Sequence, residues 1–151
     1  MKNTESNEID VLFVCYANVA RSQMAEGFYN SLGWGKALSA GIADYREKYN
    51  NCPHPDVVRV MAEIGVDISP QTMRLVTPEL VDRSSIIAVL CKHEYLPDYL
   101  KDSKKVIRIK IDDPGAKMDG LAPVDEETYQ KLRESRDAVK RTILEELVGQ
   151  K

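Results

Sequence analysis

The feature that most constrains the fold is a nearly continuous apolar run close to the N-terminus. Residues 9–14 read Ile-Asp-Val-Leu-Phe-Val and are rich in side chains that favour β-strands. Strands that face water on one side alternate apolar and polar residues, whereas a near-continuous run is typical of a strand buried on both faces. Such strands occur in parallel sheets that helices cover on each side. The run therefore predicts an α/β fold.

The rest of the chain alternates between strand and helix patterns. Apolar residues recur at helical spacing after Ser22, which is the predicted N-cap of the first helix. The other predicted strands are residues 36–40, 85–91 and 105–111, and the other main helices are residues 53–65, 94–100 and 125–148. Because parallel strands are joined by right-handed crossovers, this order predicts a small doubly wound four-stranded parallel sheet with helices on both faces.

The length of 151 residues predicts one domain, over residues 9–151, behind a polar and acidic tail at residues 1–8 that we expect to be disordered. No apolar segment approaches the about 20 residues of a membrane helix, and no signal peptide is visible. The 21 basic and 24 acidic residues leave a net charge of −3, which excludes the basic footprint of a nucleic-acid-binding or membrane-surface protein. We therefore expect a cytoplasmic protein.

The cysteines and histidines indicate neither a disulfide framework nor a metal site. Cys15, Cys52 and Cys91 are odd in number and widely spaced, so we expect reduced thiols. His54 and His93 lack metal-ligand spacing and are predicted to be surface or capping histidines. We expect no metal and no cofactor, and the sequence assigns no role to Cys52.

The stretch whose residues are best suited to chemistry lies between the first predicted strand and the first predicted helix. Residues 15–22 read Cys-Tyr-Ala-Asn-Val-Ala-Arg-Ser, a cysteine followed by five residues and then Arg-Ser. A loop that wraps into a helix start turns successive backbone N–H groups inward and forms a nest for a tetrahedral anion. Arg21 can bind two oxygens of that anion, Cys15 at the base is favoured as a thiolate, and Asn18 suits a left-handed turn.

The same stretch has a plainer interpretation. Cysteine is among the most buried residue types, so Cys15 on its own is read as a small apolar residue that ends a strand. A cysteine and an arginine at this spacing also occur by chance. The preceding strand, the following helix and Ser22 directly after Arg21 together favour a nucleophilic cysteine in an anion-binding loop.

With these residues in register, the chain resembles the low-molecular-weight protein tyrosine phosphatase family, which includes the thioredoxin-coupled arsenate reductases. Similar segments occur at residues 38–41 (Leu-Ser-Ala-Gly), residues 60–69, residues 89–91 (Val-Leu-Cys) and residues 112–114 (Asp-Asp-Pro). The resemblance covers nearly the whole chain. It implies the flavodoxin-like fold of the phosphotyrosine phosphatase I type.

The resemblance also implies roles for individual residues. Cys15 becomes the nucleophile that forms a thiophosphate intermediate, Arg21 stabilises the charge, and Asp113 before Pro114 acts as general acid and base. The adjacent Asp112 and Asp113 are also compatible with a polar turn. The predicted phosphate-binding residues are Tyr16, Ala17, Asn18, Val19, Ala20, Arg21 and Ser22.

Two positions depart from the family pattern. The family usually has glycine where Ala17 stands, so either the loop is slightly altered or the turn needs no positive φ. It usually has cysteine where Ala20 stands. Without that thiol, an oxidised Cys15 has no neighbour to trap it as a disulfide.

Cys15 and Arg21 do not separate a phosphatase from an arsenate reductase, because both activities need the same oxyanion loop. We favour hydrolysis of phosphotyrosine proteins or aryl phosphates, with aromatic walls from Tyr16, Tyr45, Tyr49 or Tyr95. The alternative is an arsenate reductase in which Cys91 supplies the second thiol and thioredoxin or a small thiol is the partner. The further cysteine usual in that branch is absent from residues 92–110, although small residues after Asp-Asp-Pro resemble it. A third possibility is a non-catalytic module that binds oxyanions or phosphoproteins.

Overall fold

The computed structural model of the chain describes residues 8–114 and 118–147. The strands are β1 (Ile9–Cys15), β2 (Ala37–Gly41), β3 (Ser84–Val89) and β4 (Val106–Arg108). The helices are α1 (Arg21–Ser31), α2 (Pro55–Ala62), α3 (Pro78–Asp82), α4 (Asp98–Lys101) and α5 (Glu126–Thr142). A 3₁₀ turn at His93–Tyr95 precedes α4, and a π-helical turn at Ile143–Leu147 extends α5. Strands and helices thus alternate as the sequence predicts.

The four strands form one parallel sheet in the order β2-β1-β3-β4. The chain places β2 on one side of β1 and then crosses to place β3 on the other side. The strand order therefore reverses at β1, and ligands of such sheets bind where the carboxyl ends of the strands meet this reversal. The predicted doubly wound α/β fold is confirmed.

Helices cover both faces of the sheet, and β1 shows why its apolar run is continuous. Val11 and Phe13 pack with α1, α2 and α5 on one face, while Leu12 and Val14 pack with α3 and α4 on the other. All four side chains are at most 2% exposed. Each such burial is worth about 1.5–3 kcal/mol relative to exposure, which explains why these four positions are all apolar.

Three helix starts are capped by side chains that the sequence makes available. Thr77 accepts a hydrogen bond from the Leu80 N–H at 3.1 Å, and Asp125 accepts one from the Thr128 N–H at 2.8 Å. His54 Nδ1 accepts the Asp56 N–H at 2.9 Å, and its Nε2 lies 3.0 Å from the Ala122 carbonyl oxygen. His54 is therefore a capping histidine, as predicted, although it is buried rather than at the surface.

Some predicted boundaries are wrong, and each has a local cause. Helix α1 begins at Arg21 with Ala20 at the N-cap, because the Ser22 hydroxyl turns inward to Cys15 instead of capping. Pro97 divides the predicted helix at residues 94–100 into a 3₁₀ turn and α4, since it lacks an N–H for a continuous helix. Strand β4 is short because the chain beyond Arg108 turns to bring the Ile111 carbonyl to Arg21.

Parts of the predicted tail and of the last predicted helix fall at the two ends of the chain. Residues 1–7 of the predicted tail lie outside the described residues, as does Val148 at the end of the last predicted helix. Glu8 is described, and its carboxylate pairs with Arg83. Among the described residues, no helix is both long enough and apolar enough to span a membrane.

Candidate active site

The loop between β1 and α1 takes its shape from one left-handed residue. Asn18 has a φ of +60°, as the sequence predicts, and it is 1% exposed. Asparagine tolerates this conformation better than most residues. Ala17 does not have a positive φ, so the loop needs no glycine at that position.

Gly41 at the end of β2 lets this loop approach the sheet closely. A Cβ at position 41 would stand 3.0 Å from the Ala17 carbonyl carbon and 3.0 Å from the Asn18 Cβ. Any larger residue would push the loop away from β2. Sequence reasoning noted the Leu-Ser-Ala-Gly segment by resemblance but missed this packing role. The signal was a glycine at the carboxyl end of a strand that lies beside the loop-bearing strand.

Hydrogen bonds to the Asn18 side chain fix both its rotamer and the direction of its amide. The backbone N–H of Arg74 donates to Oδ1 at 2.9 Å, so the oxygen must face Arg74. Nδ2 therefore faces the other way and donates to Ser22 Oγ at 2.8 Å and to Ser39 Oγ at 3.0 Å. The Ser39 hydroxyl in turn donates to Glu26 Oε1 at 2.6 Å.

This network determines whether the Ser22 hydroxyl can donate a hydrogen bond to Cys15. Ser22 Oγ accepts the Asn18 amide, which leaves the hydroxyl proton of Ser22 free to be donated. Cys15 Sγ lies 2.8 Å from Ser22 Oγ and also accepts the Asn18 backbone N–H at 3.3 Å. The Ser22 hydroxyl and the Asn18 backbone N–H thus both reach the sulfur. Cys15 is 3% exposed, at the base of the cavity.

Glu26, which sequence reasoning missed, anchors the far end of the network. Burial raises the pKa of its carboxyl, while the Ser39 hydrogen bond and the Arg74 guanidinium act in the opposite direction. Arg74 Nη1 lies 3.7 Å from Glu26 Oε1 and donates to the Ser39 carbonyl oxygen at 3.1 Å. No local pattern marks these residues, because they come together from α1, β2 and the loop before α3.

Arg21 is held in place by two backbone carbonyls from the segments that follow β3 and β4. Its Nη1 donates to the Leu90 oxygen at 2.6 Å and to the Ile111 oxygen at 3.1 Å. Arg21 is 8% exposed, so its position is set by the protein rather than by solvent. The contact to Ile111 also ties Arg21 to the segment that carries Asp112 and Asp113.

The structure separates the two adjacent carboxylates. Asp113 lines the same cavity as Cys15 and Arg21, and its Oδ2 lies 3.8 Å from Arg21 Nη2. Asp112 is exposed and does not line that cavity. The Asp113 side chain is 57% exposed at the cavity mouth, where it can exchange protons with bound molecules and water. Pro114, just beyond it, is buried and holds the segment against the core.

Tyrosine rings form one wall of the cavity. Tyr16, Tyr45 and Tyr49 all line it, with centroids 6.1 Å apart for Tyr16 and Tyr45 and 6.4 Å apart for Tyr45 and Tyr49. Tyr95 packs on the outer side of Tyr16 at a centroid distance of 5.0 Å. The remaining lining residues are Ala17, Val19, Ala20, Lys48 and Met118. The Tyr16–Tyr45 pair is edge-to-face and the other two pairs are tilted, and an aromatic surface of this kind suits a planar ring.

Cys15 and Cys91 belong to opposite faces of the sheet. Cys15 packs with the α1, α2 and α5 cluster, whereas Cys91 packs with Val89 and Leu100 in the α3 and α4 cluster. Burial raises the pKa of the Cys91 thiol to about 11, and the nearby Cys15 contributes in the same direction. Cys91 is therefore a protonated, buried thiol in this conformation. All three cysteines, including half-buried Cys52, are free thiols.

No group of three or more His, Cys, Asp or Glu side chains in residues 8–114 and 118–147 is arranged to hold a metal ion. The charges that face the cavity are those of Arg21, Lys48 and Asp113, and Lys48 pairs with Asp119 at 3.2 Å. The Arg21 side chain, at the start of α1, thus borders the same cavity as Cys15. This arrangement can bind an oxyanion and present a thiolate to it.

Comparison with known proteins finds similar phosphatases and arsenate reductases. The family model of low molecular weight phosphotyrosine protein phosphatases matches residues 10–150. An arsenate reductase of Halalkalibacterium halodurans is 33% identical over 147 residues, which cover 91% of this chain and 94% of that protein. A glutaredoxin arsenate reductase of Synechocystis sp. is 40% identical over 83 residues, covering 54% of this chain and 59% of that protein.

Solved structures share the architecture. A tyrosine phosphatase of Erwinia amylovora aligns over 93% of this chain and 91% of its own with a TM-score of 0.75, but at 17% identity it supports the fold alone. An arsenate reductase in a phosphate-binding state aligns over 94% of this chain and 98% of its own, at 28% identity and a TM-score of 0.71. Phosphatases and arsenate reductases are both present among these similar proteins. The chain belongs to the low molecular weight phosphotyrosine protein phosphatase family.

Proposed function

We propose that this protein is a cysteine-dependent phosphatase that hydrolyses phosphotyrosine or aryl phosphate esters. The observation that carries the proposal is the aromatic wall of Tyr16, Tyr45 and Tyr49 in the cavity that also holds Cys15, Arg21 and Asp113. An arsenate ion offers nothing for these rings to contact, whereas the phenyl ring of a phosphotyrosine does. The presence of nucleophile, cation and acid in one cavity also argues against a module that only binds.

In the first step, the Cys15 thiolate attacks phosphorus and the bond from phosphorus to the ester oxygen breaks. Asp113 gives its proton to that oxygen, so a neutral phenol leaves. The phosphoryl group remains on Cys15 as a thiophosphate, with its oxygens bound by the backbone N–H groups of residues 16–22 and by Arg21. The Ser22 hydroxyl, 2.8 Å from the sulfur, stabilises the thiolate before attack and after release.

In the second step, water attacks the thiophosphate and Asp113, now ionised, takes its proton. Inorganic phosphate leaves and the Cys15 thiolate is restored. The charge that develops on the phosphoryl oxygens meets the Arg21 guanidinium, which the Leu90 and Ile111 carbonyls hold in position. Because those carbonyls fix Arg21 beforehand, little reorganisation is needed as the charge grows.

The second candidate is arsenate reduction, which is supported by the names of the similar proteins and by the position of Cys91. Cys15 would bond to arsenate with loss of water, and Cys91 would then attack Cys15 sulfur, releasing arsenite and leaving a disulfide. A thioredoxin or a small thiol would supply the two electrons that restore both thiols. The protonated state of Cys91 and its place on the opposite face of the sheet weigh against this step as the chain stands.

We place the activity in the cytoplasm, since three free cysteines suit a reducing compartment. The partner in the proposed reaction is a phosphotyrosine protein or a small aryl phosphate.

The test is turnover of p-nitrophenyl phosphate and phosphotyrosine by the native protein and by Cys15→Ser. The variant should lose turnover to below about 1% and still bind vanadate or phosphate, because the loop's backbone donors survive the change while the thiolate does not. Cys52→Ser, which removes a thiol outside the cavity, is the matched control and should retain turnover. Hydrolysis that persists in Cys15→Ser would exclude the covalent mechanism.

A further inference from the structure

A second concave surface adjoins the candidate active site. We call it the cationic groove, and its basic side chains are Lys92, Arg108 and Lys110. It shares Tyr16, Arg21 and Asp113 with the catalytic cavity, so the two spaces meet along one border. The remaining lining residues are Leu90, Cys91, Tyr95, Ile109, Ile111 and Asp112.

The alternation of β4 and the segment after it explains why the cations collect there. Ile107, Ile109 and Ile111 pack against the cluster on the Cys15 face of the sheet. Arg108 and Lys110 therefore project to the other face, the one on which Cys91 packs. Arg108 ends β4 and Lys110 lies just beyond it, and both side chains are exposed, so their charged ends reach water rather than the apolar cluster.

None of the three basic side chains of the groove forms a hydrogen bond or an ion pair with another residue in the described parts of the chain. Arg59, Arg133 and Arg136, in contrast, each pair with a carboxylate. All three groove cations are exposed. The acidic groups that face them are Asp112 and Asp113, with exposed Glu94 on the adjoining 3₁₀ turn, and Asp113 already faces Arg21.

We propose that the cationic groove is a second anion subsite, which binds acidic side chains that flank the phosphorylated tyrosine of a substrate protein. The proposal rests on the proposed phosphatase function. A phenyl phosphate that fills the catalytic cavity between Tyr16 and Asp113 brings its flanking residues to the shared border of the two spaces. The exposed ring of Tyr95, which packs on Tyr16 at an angle of 52°, supplies an apolar edge for the peptide backbone. The chain has a net charge of −3, but the cationic groove is locally basic. It therefore repels basic residues that flank the phosphotyrosine and attracts acidic ones.

The experiment compares two non-hydrolysable peptides that carry phosphonomethylphenylalanine, one flanked by glutamates on both sides and one flanked by glutamines. Binding to the native protein is measured by calorimetry at low salt and again at 0.5 M NaCl, a salt level at which exposed charges are largely screened, with a Debye length of only a few ångström. We expect the glutamate peptide to bind about fivefold to thirtyfold more tightly at low salt, as two or three partly exposed charge pairs allow, and the preference to shrink at high salt. Arg108→Gln combined with Lys110→Gln should reduce the preference towards unity.

Lys104→Gln is the matched control, because Lys104 is an exposed lysine at the opposite end of β4, and it should keep the native preference. Equal binding of the two peptides, or a preference for the glutamate peptide that the double variant retains, would overturn the proposed anion subsite while leaving the phosphatase proposal in place. No binding of either peptide, together with no turnover of p-nitrophenyl phosphate, would overturn both proposals.

Discussion

In the proposed reaction Arg21 has two duties, and they require the shape of a guanidinium. One edge donates to the Leu90 and Ile111 carbonyls, which leaves the other edge for the oxyanion. A lysine carries the same charge but has no planar fork, so it cannot hold both carbonyls and span two phosphoryl oxygens. Position 21 therefore requires the geometry of an arginine as much as its charge.

We expect Arg21→Lys to lower kcat/KM for p-nitrophenyl phosphate by about 10²–10³, comparable to the loss of an electrostatic donor to the transition state. Steady-state kinetics measures this loss. Arg46→Lys, at an exposed arginine that pairs with Asp44, is the control and should change little. Native-like kinetics in Arg21→Lys would mean that the spacing of Cys15 and Arg21 is a coincidence.

Asp113 and Asp112 differ in position, so their substitutions should differ in their effect on turnover. Asp113→Asn removes the proton donor, which matters most for a poor leaving group such as a tyrosine phenolate with a pKa of about 10. The loss should thus be larger for phosphotyrosine than for p-nitrophenyl phosphate, and Asp112→Asn should be mild with both substrates. Kinetics of the two variants on the two substrates tests this expectation. The reverse pattern would assign the acid role to Asp112.

Among the elements, α2 and α5 are joined by a cluster of charges around Glu63, the C-cap of α2. Arg133 donates to its carboxylate at 2.8 Å, Arg136 at 2.8 Å and the Tyr129 hydroxyl at 3.0 Å. Chiefly through the Arg133 hydrogen bond, these donors lower the pKa of Glu63 to about 2. The cluster connects the two helices at the surface while Val60 and Leu132 pack in the core beneath.

A carboxyl whose pKa is lowered in the folded state stabilises the protein at pH values above its pKa in the unfolded state. That stabilisation is lost as the pH falls towards the folded-state pKa. For Glu63 that window runs from its ordinary pKa of 4.5 down to about 2. We expect Glu63→Gln to reduce the free energy of unfolding by about 1–2 kcal/mol at pH 7, since solvent screens a partly exposed cluster. The difference from the native protein should narrow below pH 4.5, as urea unfolding at several pH values will measure.

Glu146→Gln provides the control for that series, because it removes the same charge from an exposed position in the π-helical turn after α5. It should leave the free energy of unfolding within about 0.5 kcal/mol of the native value at every pH. A Glu63→Gln difference that stays constant from pH 7 to pH 2 would show that the carboxylate's ionisation is not what stabilises the contact.

At the scale of the whole molecule, the sheet sets where Cys15 and Cys91 pack. It places Cys15 and Cys91 on opposite faces, and a disulfide needs Cα atoms within about 7 Å and Cβ atoms that point towards each other. In the second candidate reaction the Cys91 sulfur would have to reach the Cys15 sulfur across the strand ends, whereas the proposed phosphate ester hydrolysis does not use Cys91.

We expect mass spectrometry after arsenate treatment to find Cys15, Cys52 and Cys91 as free thiols, with phosphotyrosine hydrolysis intact. Cys91→Ala should keep turnover of p-nitrophenyl phosphate and cost about 1–2 kcal/mol of stability, as for a modest truncation in the core. A Cys15–Cys91 disulfide that forms only with arsenate, together with arsenite release, would establish the reductase instead.

The sequence by itself determined the parallel α/β architecture and the loop that joins Cys15 to Arg21. Both are local properties: a continuous apolar run gives a strand buried on two faces, and the spacing from Cys15 to Arg21 stays within one loop and the start of one helix. The left-handed Asn18 follows from the same short stretch.

Only the tertiary structure decided which distant groups meet that loop. The Leu90 carbonyl that holds Arg21 lies 69 residues away in the chain, the Ile111 carbonyl 90 residues away, and the Arg74 N–H that orients Asn18 56 residues away. The tyrosine wall, the side of the sheet on which Cys91 lies and the cationic groove likewise depend on how strands and loops pack. Backbone carbonyls and N–H groups are the same in every residue, so no sequence pattern marks the ones that hold a site together.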